Sequence, residues 1–167
     1  SRGGGVIEIV ADTVSVEGAV HANGVGGRSQ SGWNRGAGSG GSIIIDADRV
    51  TGQGTIEASG GVQVDSGTEG GSGGGGRIAV YTTDDMMDTF HGDVFARGNA
   101  RTSESDYSYS AAGPVFLYDR TGQTIRTIVL INSGYRAQYA RTVLNETLNV
   151  ETVVLGGWAE VQQCSSV

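Results

Sequence analysis

The chain has 167 residues, 30 of them glycine and only one proline, with 37% hydrophobic residues and a formal net charge of -7. That length and apolar content suffice for one domain with a core, and abundant glycine without a three-residue period excludes collagen. All 11 basic residues are arginine and they form no basic stripe, so the phosphate-neutralising surface that a nucleic-acid partner requires is missing.

In chain order, Gly3-Gly4-Gly5 opens onto Val6-Ile7-Glu8-Ile9, a β-branched run of strand length. Val14-Ser15-Val16 and then Gly18-Ala19-Val20-His21-Ala22-Asn23-Gly24 supply a second short strand. A glycine-rich span, 24 to 41, follows. The pattern then recurs: Gly40-Gly41 before Ser42-Ile43-Ile44-Ile45, and Gly54-Thr55-Ile56-Glu57-Ala58-Ser59-Gly60 before a second glycine-rich span, 60 to 76. It recurs again at Gly73 to Gly76 before Arg77-Ile78-Ala79-Val80, and at Gly92-Asp93-Val94-Phe95-Ala96-Arg97-Gly98 before a third span, 98 to 113. Pro114-Val115-Phe116-Leu117 opens the next copy.

The first residues after the glycine runs, Val6, Ser42, Arg77 and Pro114, are spaced by 36, 35 and 37, and the second block by 36 and 38. Two blocks that keep one phase define a repeat whose units cannot bury their apolar faces alone and must stack. No stretch carries helical spacing. The expected fold is all-β: a right-handed parallel β-helix, a solenoid with a repeat of about 36 residues and glycine-rich loop excursions. Its inward ladders are Ile7, Ile43, Ile78 and Val115; Ile9, Ile45, Val80 and Leu117; and Val20, Ile56 and Val94. Glycine permits close backbone approach where the chain re-enters the wall, and the β-branched residues fill the interior.

From Thr124 the pattern shifts to Thr127-Ile-Val-Leu-Ile131, Thr142-Val-Leu144, Thr147-Leu-Asn-Val150 and Thr152-Val-Val-Leu155, read as tighter coils with Ile128 and Val150 spaced 22 apart. The organisation expected is thus a single domain over 1 to 167, with glycine-rich units over 1 to 117 and tighter coils over 118 to 167. The chain opens on Ser1, inside a repeat and without a charged-then-apolar leader, so it is expected to be a piece of a longer protein. No apolar run approaches the length of a membrane span, so no membrane insertion is expected. Cys164 is the single cysteine and has no internal partner.

Gly40-Gly-Ser-Ile-Ile-Ile45, Val50-Thr-Gly-Gln-Gly-Thr-Ile-Glu-Ala-Ser-Gly-Gly61 and Gly73-Gly-Gly-Gly-Arg-Ile-Ala-Val-Tyr81 resemble the glycine-rich repeats of large secreted and cell-surface proteins of bacteria and algae. The resemblance covers residues 3 to 117 well. It implies an extracellular structural, adhesive or filament-forming module without enzymatic activity, whose partners are further copies or neighbouring solenoid segments. Pro114 and the Ser- and Tyr-rich segment Thr102 to Ser110, with Tyr107 and Tyr109, depart from it.

Among residues able to carry chemistry, Asp12, Asp48 and Asp84 lie 36 apart and could share Ca²⁺ if coils stack, although Asp equally caps turns through its own backbone. The GGxGxDx nonapeptide of calcium-binding β-rolls is missing, and no cofactor is expected. His21 and His91 read as surface residues. The expected fold is similar to that of pectin and alginate lyases and tailspike glycosidases, which raises a glycan wall of Asp46, Asp48, Arg49, Glu57 and Arg77, with Trp33 or Tyr81 stacking on sugar. No acid and base pair stands out among those carboxylates, and the alternative function is a glycan-binding or polysaccharide-cleaving β-helix. Asn145-Glu146-Thr147 is a candidate N-glycosylation acceptor.

Overall fold

The computed structural model describes residues 2–27, 29–30, 33–34, 36–62, 71–99, 110–121, 124–131, 142–144, 150–156 and 161–163. The first unit contributes β1 (Val6–Ser15) and β2 (Ala19–His21), followed by the small strands β3 (Ser29–Gln30) and β4 (Trp33–Asn34). The second contributes β5 (Ser42–Thr51) and β6 (Thr55–Glu57). The third contributes β7 (Arg77–Thr82), a one-turn helix α1 (Met86–Thr89) and β8 (Asp93–Phe95). Then come β9 (Val115–Asp119), β10 (Thr124–Ile131), β11 (Thr142–Leu144), β12 (Val150–Gly156) and β13 (Val161–Gln163).

The repeat becomes strand pairing. β1, β5, β7 and β9 lie side by side in parallel, with Ile7 opposite Ile43, Ile43 opposite Ile78, and Ile78 opposite Val115. Ile9, Ile45, Val80 and Leu117 form the next inward row. A second sheet, β2-β6-β8, is parallel throughout and aligns Val20, Ile56 and Val94. One apolar cluster joins both sheets, and Ile43, Ile45, Ile56 and Ile78 within it are fully excluded from solvent. Val14-Ser15 proves to be an extension of β1 rather than a separate strand, and Val50 likewise lies within β5, each strand running ten residues.

The expectation of one continuous right-handed β-helix is not met. The long sheet is mixed, with order β1-β5-β7-β9-β10-β12, and β10 runs antiparallel to β9; no uniform coil carries the chain from one end to the other. The cause is local. Asp119 accepts hydrogen bonds on Oδ1 from the Thr121 amide (2.8 Å) and hydroxyl (2.5 Å), an Asx-type turn that folds the chain straight back on itself. A parallel successor needs a crossover of a dozen or more residues, and this turn forbids it. Beyond it, β12 pairs parallel with β10 at a step of 25 residues (Ile128 opposite Val153) rather than 22, while β11 and β13 form a separate two-stranded sheet. β3 and β4 are a further antiparallel pair, inside the first glycine-rich span.

Helix α1 is also absent from the sequence expectation. It fills a corner, burying Met86 and Phe90, and Thr89 donates its hydroxyl to the carbonyl of Val50 (2.7 Å). No helix among the described residues is long and apolar enough to cross a membrane.

Glycine sets the spacing of the stack. The Ser42 amide donates to the Gly5 carbonyl and the Arg77 amide to the Gly41 carbonyl, at 2.9 Å each. A Cβ on Gly41 would run into that same Gly5 oxygen, one on Gly76 into the Gly41 oxygen, and one on Gly113 into the Gly76 oxygen. The second sheet repeats the device, with Gly54 over the Gly18 oxygen and Gly92 over the Gly54 oxygen.

Truncating the inner ladder separates its members. Ile45→Ala removes a fully buried side chain and is expected to cost about 2–5 kcal/mol, whereas Ile9→Ala, at a partly buried position of the same row, costs roughly half as much. Urea denaturation of the two variants measures the difference.

Candidate functional site

Strand alternation sends every second residue of β5, β7 and β9 to the outer face of the long sheet. Asp46, Tyr81 and Tyr118 stand opposite one another there in one row, and Ile44, Ala79 and Phe116 in the next. The Tyr81 and Tyr118 rings lie 5.5 Å apart between centroids, tilted by 59°. Arg120, just past the end of β9, forms an ion pair with Asp46 on β5, so the guanidinium spans the width of β7 beside Tyr81. The row therefore presents two aromatic bodies with polar tips, flanked by a carboxylate and a guanidinium.

A second polar group sits at the end of the same strands. Arg49 Nε donates to Asp84 at 2.6 Å, and the Thr83 hydroxyl donates to Asp48 at 3.1 Å. The backbone amides of Thr83 and Asp84 both donate to the Asp48 carbonyl, which brings the third unit down onto the second. Asp48 and Asp84, read in the sequence as possible Ca²⁺ ligands, thus have protein partners, and among the described residues no three acidic or histidine side chains converge on one point.

The other candidates scatter. Glu57 lies on β6 in the second sheet and faces His21 at 3.5 Å, so it does not share a face with Asp46 and Tyr81. Arg77 is exposed at the start of β7, and His91 is exposed after α1. Trp33 has its backbone in β4, opposite Gln30, and its side chain lies outside the described residues. Asn145, Cys164, Tyr107 and Tyr109 also lie outside them.

Two members of the face escaped the sequence reading. Tyr118 follows Tyr81 by 37 residues, the same step that separates Pro114 from Arg77, so extending the ladder by one row finds it. Arg120 carries no such signal, because its bond to Asp46 runs diagonally across an intervening strand. Comparison with family models, curated proteins and solved structures finds no match to this chain.

The ion pair itself adds little to the fold. Arg120 and Asp46 side chains are 35% and 43% exposed, and water screens such pairs to about 0–1 kcal/mol. A double-mutant cycle with Arg120→Ala and Asp46→Asn, read by thermal denaturation, is expected to give a coupling below about 1 kcal/mol that fades in ~1 M salt.

Proposed function

We propose that this chain is a structural and adhesive module of an extracellular or cell-surface protein, built to be joined edge to edge with further strand-bearing units. The observation that carries this reading is the state of the long sheet's two outer strands. On β1, Val6 and Val10 are 74% and 73% exposed, and on β12 Val153, Val154 and Leu155 are 51%, 40% and 54% exposed. Outer strands offer a row of backbone donors and acceptors to any incoming strand, and proteins that avoid such pairing place lysine or proline there. The chain has no lysine and its one proline lies off both edges, and the charges on those strands are Glu8 and Asp12 on β1 and Glu151 on β12. The glycine-rich motifs resemble repeats of secreted and surface proteins, which supports the location.

Mass photometry and electron microscopy of the purified chain test the reading. Association that grows with concentration, and that Val153→Lys combined with Leu155→Lys suppresses, is the expected result. Single particles at high concentration would overturn it.

A second reading, contact with a polysaccharide, is favoured by the outer-face row. Tyrosine rings offer apolar surface to the C–H face of a sugar, and the Asp46 and Arg120 charges offer strong hydrogen bonds to hydroxyls. Retention on an immobilised polysaccharide is expected to fall when Tyr81→Ala and Tyr118→Ala are combined, with the melting temperature as the control for folding.

A further inference from the structure

Two glycines of the first unit have no local reason to be glycine. Gly5 stands in line with Gly41, Gly76 and Gly113, and Gly18 in line with Gly54 and Gly92. At each of those partners a Cβ would strike the carbonyl of the preceding unit, yet a Cβ on Gly5 or on Gly18 would meet nothing within 4 Å. Neither has positive φ, since Gly52 alone among the described glycines does. By contrast Gly4, beside Gly5, is confined by the Ala22 carbonyl of its own unit. Within these two rows, the glycines that face open space are the two whose contacts would come from a preceding unit.

The inner ladder tells the same story. Ile43, Ile45, Val50 and Ile56 in the second unit are 0% exposed, while their first-unit equivalents Ile7, Ile9, Val14 and Val20 are only partly buried. The amides of Val6 and Ala19 hold the positions at which Ser42 and Thr55 donate to the Gly5 and Gly18 carbonyls.

We propose that the β1–β2 end is the docking face for one more glycine-rich unit of this same repeat, lying parallel and in register, with its carbonyls seated on Gly5 and Gly18. The unit belongs to the same polypeptide. Arg2 to Gly5 already follow the path by which the chain enters later units: Arg2 accepts the Val25 amide (2.9 Å) and the Gly4 amide donates to Ser39 (2.8 Å), as the Gly40 amide donates to Gly74 (2.9 Å). A second molecule of this chain does not supply the fit through its far edge, because that edge is β12, which with β10 runs opposite to β9 and does not continue the parallel order of β1, β5, β7 and β9. The proposal rests on the structural reading above and names the neighbour of one of its two edges.

The test compares the 167-residue chain with a version in which a second copy of residues 1–36 precedes Ser1, which places the added strand 36 residues before β1. The added unit is expected to raise the melting temperature and to slow amide exchange at Val6 and Ala19. In the 167-residue chain Gly5→Ala and Gly18→Ala leave the melting temperature within about 2 °C, while Gly41→Ala lowers it by roughly 4 °C or more. In the extended chain Gly5→Ala and Gly18→Ala cancel the gain. Destabilisation of the 167-residue chain by Gly5→Ala and Gly18→Ala on the scale of Gly41→Ala, or an extension that brings no protection, would overturn the proposal. A dimer of the 167-residue chain abolished by Gly5→Ala would also overturn it, by putting the occupant in another molecule. Single particles of the 167-residue chain at high concentration would sink the assembly reading and leave this result intact.

Discussion

A single backbone oxygen holds two jobs at each level of this molecule. The carbonyl of Gly5, Gly41 or Gly18 accepts the amide of the next unit and at the same time presses against that unit's glycine Cα. Any side chain at the upper position would push the two apart and stretch the hydrogen bond beyond its useful range. Because the approach is made in both sheets, it fixes distance and register together. A slip of one residue would turn every inward isoleucine to solvent, and the glycine steps leave no room for it. The high glycine content is thus a packing requirement more than a source of looseness.

Side chains reinforce the same vertical contacts. Asn23 accepts the Ser59 amide at 2.7 Å, Ser110 donates to the Ser72 carbonyl at 2.7 Å, and Asn99 donates to the Gly60 carbonyl. Each joins one unit to its neighbour through a polar group held partly out of water, where such bonds contribute about 1 kcal/mol. On the second sheet Arg97 lies 3.7 Å from the Phe95 ring centroid, covering an aromatic that would otherwise face water. The corner helix does similar work by placing Phe90 beneath Gly52, whose φ of 109° turns the chain from one sheet to the next.

The sequence made the ladder positions readable because stacking in register converts chemistry into spacing. Val6, Ser42 and Arg77 pair as their steps of 36 and 35 require, and Val115 takes its place opposite Ile78. What could not be read was decided by short-range turn chemistry or by reach across the sheet. The reversal depends on one Asp119 side chain closing on Thr121, a signal of two residues inside a pattern that still looked repetitive. One turn of helix, Met86–Thr89, is too short to show any period, and the spacing of 25 between β10 and β12 was hidden by several valines and isoleucines that fit more than one alignment. Of the outer face, Tyr81 was legible as an exposed aromatic at a strand end, but the Arg120 bridge to Asp46 needed the strand order first.

The turn at Asp119 also gives the molecule a direction. Strands β1, β5, β7 and β9 point one way, while β10 and β12 point the other, so a newcomer obeying the glycine register finds a matching partner at one end only. Were the proposed unit to occupy that end, the height of the stack would be written into its gene. Under the edge-to-edge reading, protein concentration would govern how many such molecules gather, and would leave the number of storeys in each unchanged.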